Sequence, residues 1–225
     1  MKSVIKQVVA PMAVSLVALG VGQAMAYEAG DMVIRGGYAS VNPDSSSDEV
    51  LDVDNYHVEA DDGAAAGISL TYMFDANLGL EILAATPFTH DINATGDLKD
   101  DIGQEAVGET QHLPPTVSLQ YNLPVSNQLN VYAGAGINYT VFFNENADDL
   151  GDALDADTDL SLDDSFGLAL SFGADYQIDD TWGINAGIYW IDIETEAELK
   201  IGDTKDTFDV VIDPIVYRLN VVYKL

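Results

Sequence analysis

Between Ser165 and Ile193 the residues alternate so regularly that only extended chain accommodates them. Phe166, Leu168, Leu170, Phe172, Ala174 and Tyr176 are apolar, and the residues between them are small or polar. Ile178, Asp179, Asp180 and Thr181 make a turn. Trp182, Ile184, Ala186, Ile188 and Trp190 then alternate with Gly183, Asn185, Gly187 and Tyr189. A strand sends alternate side chains to opposite faces. This is a β-hairpin with one greasy face, and its two tryptophans stand at the two ends of that face. Tilted as in a membrane barrel, eight residues climb roughly 20 Å, close to the height of a lipid-facing band between aromatic girdles. A soluble sheet more often buries Trp at mid-strand, so the face reads as lipid-exposed.

The first 26 residues read as an export signal: Lys2 and Lys6, an apolar run from Val8 to Val21, and Ala24-Met25-Ala26 as the cleavage site. A membrane anchor is the other reading, but the run is short and is interrupted by Pro11 and two glycines. Residues 27–225 then form one domain. No later stretch supplies the ~20 apolar residues of a membrane helix. A chain of this kind can cross lipid only as a closed barrel, because only closure pairs every backbone N–H and C=O. The formal net charge of −30 leaves no basic patch for nucleic acid. The chain has no cysteine, so a small fold held by disulfides is excluded.

The same alternation recurs along the chain. Strands are expected over 31–41, 64–74, 78–90, 115–123 and 129–143, then in the hairpin, and finally over 215–225. That makes eight. The connections after the first, third, fifth and seventh are long and acidic (about 42–63, 91–110, 144–160 and 194–206), and the others are short. The fold class is therefore all-β: an eight-stranded antiparallel transmembrane barrel of the outer-membrane type, with short periplasmic turns and long acidic extracellular loops. The greasy face holds no Asp, Glu, Lys or Arg at membrane level, whereas the other face carries Arg35, Glu81, Asp175, Arg218 and Lys224.

Several stretches resemble the outer membrane protein W (OmpW) family. They are Glu28-Ala29-Gly30-Asp31, Leu80 to Phe88 with His90, His112-Leu113-Pro114-Pro115-Thr116, and Tyr132 to Thr140 with Phe142-Phe143. Asp164-Ser165-Phe166-Gly167 and Asp213-Pro214 complete the set. The resemblance implies an eight-stranded barrel of the Gram-negative cell outer membrane, with an apolar channel for uptake of small hydrophobic molecules. Two features depart from it. The last residue is Leu225 where an aromatic is usual, and the loops are unusually acidic, so surface partners do not carry over.

Strand direction sets the height of each inward residue. Arg35, Glu81, Gln120, Asn185, Asp175 and Lys224 fall near the periplasmic end and predict a paired polar floor, since unpaired buried charge is costly. Val41, Leu83, Ala85, Phe142, Ala169, Tyr189, Ile191 and Val216 lie higher and predict an apolar upper lumen. This level is either an ordinary packed interior or a pocket open to the outside. A hydrophobic molecule cannot easily cross a charged floor and needs another exit. Pro87, Pro114 and Pro115 lack ladder donors and mark the wall between the third and fourth strands for sideways release, or else simply shape the strand-to-loop boundary.

Other motifs carry less. Asp155-x-Asp157-x-Asp159 starts like a calcium loop, but its sixth position is Leu160 and its twelfth is Phe166. No metal site or cofactor is expected. The acidic loops either attract divalent cations diffusely or form a plain solvated surface. His90 and His112 flank one loop and are expected to take structural hydrogen bonds. Without G-x-S-x-G or a thiol, the only hydrolase hint is Thr86/His90/Asp91, and a non-enzyme is the better reading. Two functions remain: a conduit for small hydrophobic molecules embedded among outer-membrane lipids, or a structural or adhesive surface protein with a packed barrel.

Overall fold

A computed structural model describes residues 27–225; the expected export signal lies outside the described residues. Eight strands form the wall: β1 (Met32–Asn42), β2 (Gly63–Met73), β3 (Leu78–Ala85), β4 (Thr116–Pro124), β5 (Leu129–Asn146), β6 (Ser165–Gln177), β7 (Trp182–Ile191) and β8 (Ile215–Lys224). Each pairs antiparallel with its sequence neighbours. β1 closes on β8 from Val33↔Lys224 to Asn42↔Ile215. The barrel therefore has no free edge.

Alternation sorts the side chains as the sequence predicts. Phe166, Leu168, Leu170, Phe172 and Tyr176 point outward and are exposed, as are Trp182, Ile184, Ile188 and Trp190. Leu219, midway along β8, is 66% exposed, a burial state that water would penalise and hydrocarbon rewards. Trp182 packs on Tyr223 with ring centroids 4.7 Å apart, and Tyr72 meets Phe74 edge-on at 5.7 Å. Both aromatic pairs stand at the short-turn end, which faces the periplasm in outer-membrane barrels.

The three short turns share one device, a side-chain oxygen that accepts the two N–H groups closing the turn. Asp75 Oδ1 takes those of Asn77 and Leu78 (2.7 and 2.8 Å), and Asp179 Oδ1 those of Thr181 and Trp182 (2.9 and 2.8 Å). Ser126 Oγ takes those of Gln128 and Leu129 (3.3 and 3.1 Å). These donors hold both aspartates below the usual carboxylate range.

At the opposite end the long acidic connections are not featureless. The link between β3 and β4 is a hairpin, Phe88–Gly96 with Ala106–Leu113, tipped by the helix α1 (Asp97–Ile102). The link between β5 and β6 holds the helix α2 (Asp148–Leu154) and the strand Thr158–Leu162. A second hairpin, Glu194–Ile201 with Thr204–Val211, joins β7 to β8. Their inward residues, including Val50, Leu98, Val107, Leu150, Leu199 and Phe208, form a second apolar core above the barrel. This core is not foreseen in the acidic sequence of these segments, where short apolar runs are set among many acids.

The outward face makes a direct prediction. Leu219→Arg should destabilise the refolded barrel by about 2–4 kcal/mol, the cost of a charge near the bilayer midplane. Urea titration of tryptophan fluorescence in lipid vesicles reads this. Wild-type stability in that variant would contradict lipid contact at Leu219.

Candidate functional site: a layered lumen under an apolar cap

The lowest layer is a polar plug. Arg35 donates from Nε to Asp175 Oδ1 (2.9 Å) and from Nη2 to Asp175 Oδ2 (2.7 Å), a bidentate pair with both side chains fully buried. Its Nη1 donates to Thr71 Oγ1 at 2.7 Å and lies 3.7 Å from Glu81. Asp175 also accepts from the Tyr27 hydroxyl (2.8 Å) and from Asn185 Nδ2 (2.8 Å). The Tyr132 ring lies under the Arg35 guanidinium, 4.9 Å from its centroid. That ring occupies the space left by Gly173, where a Cβ would come within 2.4 Å of it. Arg218 reaches Tyr189 Oη (3.4 Å) and Asn220 Oδ1 (3.2 Å), and Asn220 donates to Asn185 at 2.7 Å.

Five of the six residues expected in the floor lie together: Arg35, Glu81, Asn185 and Asp175, and buried Gln120, whose Oε1 accepts from Thr71 Oγ1 at 3.5 Å while its Nε2 has no partner. Lys224 does not. It pairs with Asp31 at 3.1 Å on the partly exposed rim, because the last residues of β8 lie below the plug. Tyr189 is a second correction. Its ring lies at the apolar level, but its hydroxyl donates to Glu81 at 3.1–3.2 Å and so ties the two levels together. Tyr27, Thr71 and Tyr132 also belong to the plug: alternation shows that Thr71 and Tyr132 point inward but not how far they reach, and Tyr27 precedes the first strand, so no pattern places it.

Above the plug, Val41, Leu83, Phe142, Ala169, Tyr189, Ile191 and Val216 form one cluster with Ala39, Phe88, Ile193 and Ile212; Ala85 packs against it. The apolar level is therefore where the sequence places it. Its side chains largely meet one another, leaving a void of ≈ 20 Å³ beside Leu83, Ala84, Phe88, Pro114 and Val216. The roomier cavity, ≈ 320 Å³, lies higher, inside the cap, and is lined by residues such as Val50, Leu98, Leu150, Leu199 and Phe208. Leu162, Val210 and Ile212 border both levels, so the apolar surface is continuous from cap to barrel.

The wall carries one interruption at the level of the void. The β3–β4 ladder runs from Leu78↔Tyr121 to Leu83↔Thr116, and pairing resumes only at Phe88↔His112. Ala84 to Pro87 and Leu113 to Pro115 are unpaired with each other across this seam. Pro87, Pro114 and Pro115 cannot donate there. On their other sides both strands stay attached: Thr86 N–H donates to Ala66 O (2.8 Å), and Tyr139 N–H donates to Pro115 O (3.1 Å).

The OmpW family model matches residues 28–225. The chain belongs to the OmpW family. It is 40% identical to the outer membrane protein W of Vibrio cholerae over 97% of this chain and 99% of that one. It is 37% identical to the outer membrane protein W of Escherichia coli K12, covering 90% and 92% of the two chains. The crystal structure of the outer membrane protein OprG from Pseudomonas aeruginosa superposes with a TM-score of 0.81 at 34% identity, covering 90% of this chain and 99% of that one. This OmpW-family chain is an outer-membrane barrel.

Just above the wall, the hairpin of the β3–β4 link carries His90 and His112. They do meet, stacked at 4.9 Å between centroids with planes 5° apart. The expected structural hydrogen bonding is only half realised. His90 Nδ1 donates to Asp61 O at 2.5 Å, but neither Nε2 has a partner. The hydrolase hint dissolves as well, because Thr86 Oγ1 accepts from Ala66 N–H and His90 turns to Asp61 rather than Asp91. Among the described residues no group of three or more His, Asp or Glu converges as a metal site.

Burial, aided by the neighbouring His90, pushes the His112 imidazole down to about 3. Burial also lowers His90, opposed by Asp61, Asp62 and Asp91. A base depressed in the folded state supports folding fully above its ordinary value of about 6.5 and progressively less as pH falls toward 3. Two outcomes are therefore expected. The urea midpoint of the wild-type barrel should fall between pH 7 and pH 4 more steeply than that of His112→Phe; parallel pH curves would contradict a neutral buried imidazole. In the plug, Asp175→Asn should cost about 3–5 kcal/mol by leaving Arg35 buried and uncompensated. Arg35→Met with Asp175→Leu should cost less than the single change, and additive losses in this double-mutant cycle would contradict the pairing.

Proposed function

We propose that this chain admits small hydrophobic molecules across the outer membrane, taking them up in the cap, passing them into the upper barrel and releasing them sideways between β3 and β4. The observation that carries this reading is the seam. The backbone ladder is interrupted only a few residues from the apolar void, and prolines stand on both of its margins. A molecule at that level meets apolar side chains on all sides and a charged plug below, so the bilayer is the cheaper exit. The cap cavity lies within the roughly 300–1,000 Å³ usual for ligand sites and is almost wholly apolar. Passage through the packed upper barrel requires Leu83, Phe88 and Phe142 to change rotamer within their buried cluster.

A second reading, a structural or adhesive surface protein, is favoured by that same packing. On that reading the acidic outer surface would engage partners through a diffuse, screened cation atmosphere.

The two separate in transport. Pro87→Val with Pro114→Val restores two ladder donors at the seam. In proteoliposomes containing equal amounts of folded barrel, this variant should slow uptake of an alkane-like fluorescent probe several-fold. Unchanged uptake would overturn sideways release, and a wild-type rate no faster than that of protein-free vesicles would overturn the conduit itself.

A further inference from the structure

One buried polar cluster stands between the apolar core of the cap and that of the upper barrel. His90 and Thr110 are directly opposed across the two strands of the β3–β4 hairpin, and Phe88 opposes His112 two positions along. Directly opposed side chains on paired strands share a face, so the two histidines and Thr110 form one cluster. All three are buried, at 2%, 2% and 4% exposure. The cluster stands at the junction: Thr110 contributes to the cap cavity, and Phe88, stacked on His112 at 5.4 Å, contributes to the void below.

Three polar atoms here have no partner: His90 Nε2, His112 Nε2 and Thr110 Oγ1. His90 is the most constrained. Its Nδ1 faces the Asp61 carbonyl, which can only accept, so Nδ1 carries the proton and Nε2 of the neutral ring presents a bare lone pair. The ring is admitted there because residue 63 is glycine; a Cβ would lie 2.5 Å from His90 Cε1. An unpaired buried acceptor is costly, and a pure hydrocarbon path would avoid it by using leucine. A chelated metal does not fit either. Lone pairs of parallel stacked imidazoles run side by side in their ring planes and do not converge on one ion.

We propose that this cluster binds the hydroxyl group of a hydrophobic alcohol or phenol whose apolar body occupies the cap cavity. The ligand hydroxyl donates to His90 Nε2 and accepts from Thr110 Oγ1, and His112 is held beside them by its stack on Phe88. The inference rests on the conduit reading and narrows its substrate class, so that hydroxylated molecules are selected over bare hydrocarbons of the same shape.

The test compares 2-naphthol with 2-methylnaphthalene, binding each to the full barrel in lipid nanodiscs and subtracting empty nanodiscs. A satisfied hydrogen bond of about 1–1.5 kcal/mol predicts roughly tenfold tighter binding of 2-naphthol. His90→Phe with His112→Phe should abolish the preference while 2-methylnaphthalene still binds. Thr110→Val, a near-isosteric change, should reduce the preference about threefold even if the double variant folds poorly. Equal binding of the two probes to wild type overturns the hydroxyl site but leaves the conduit standing. Binding of neither overturns both. A preference that survives Thr110→Val and the histidine changes in folded protein shows that it arises elsewhere and overturns the assignment.

Discussion

The controlling constraint is that hydrocarbon offers no partner to a peptide group. Every N–H and C=O at membrane depth must find another strand, and the only way for strands to do so without an edge is to close. The pairing of β1 with β8 is where this chain meets that demand. Closure dictates much of the rest. Outward residues must be apolar, and inward residues share a space barely wide enough for side chains. Any break in the ladder costs enough to need a reason. The seam between Leu83↔Thr116 and Phe88↔His112 is such a break, and it is tolerated because each strand remains bonded on its far side.

Inside the wall, narrowness turns charge into a seal. Arg35, Asp175 and Glu81 are buried far from water, where isolated ions would be prohibitive. They survive because each is met several times over, with Tyr27, Thr71, Tyr132, Asn185 and Tyr189 supplying the remaining contacts. Gln120 Nε2 and Arg218 Nε stay unpartnered in the same layer, so the pairing is concentrated on the three ions.

The cap extends the apolar interior beyond the membrane. Its helices and hairpins turn their acids to water and their few aliphatic side chains inward, enclosing a cavity larger than the void beneath it. At the junction the histidine stack interrupts an otherwise greasy surface. A polar group unsatisfied by the protein is a place where something else can be chosen.

The wall is legible locally: period-two alternation sorts Phe166 or Leu219 from Arg35 or Asp175 without reference to anything distant, because the strand's own geometry decides the face. Height in the barrel followed from strand direction, which made most of the floor and of the apolar level legible, Lys224 and the Tyr189 hydroxyl being the exceptions. The remaining contacts depend on neighbours far apart in the chain, which the fold alone brings together. Lys224 was drawn to Asp31 at the rim, Tyr189 reached down to Glu81, and Tyr132 filled the room vacated by Gly173, none of which a local pattern encodes. The cap core was hidden for the same reason. Val50, Leu98, Leu150 and Phe208 come from four separate connections, and their apolar contact exists only once the barrel has gathered those connections at one end.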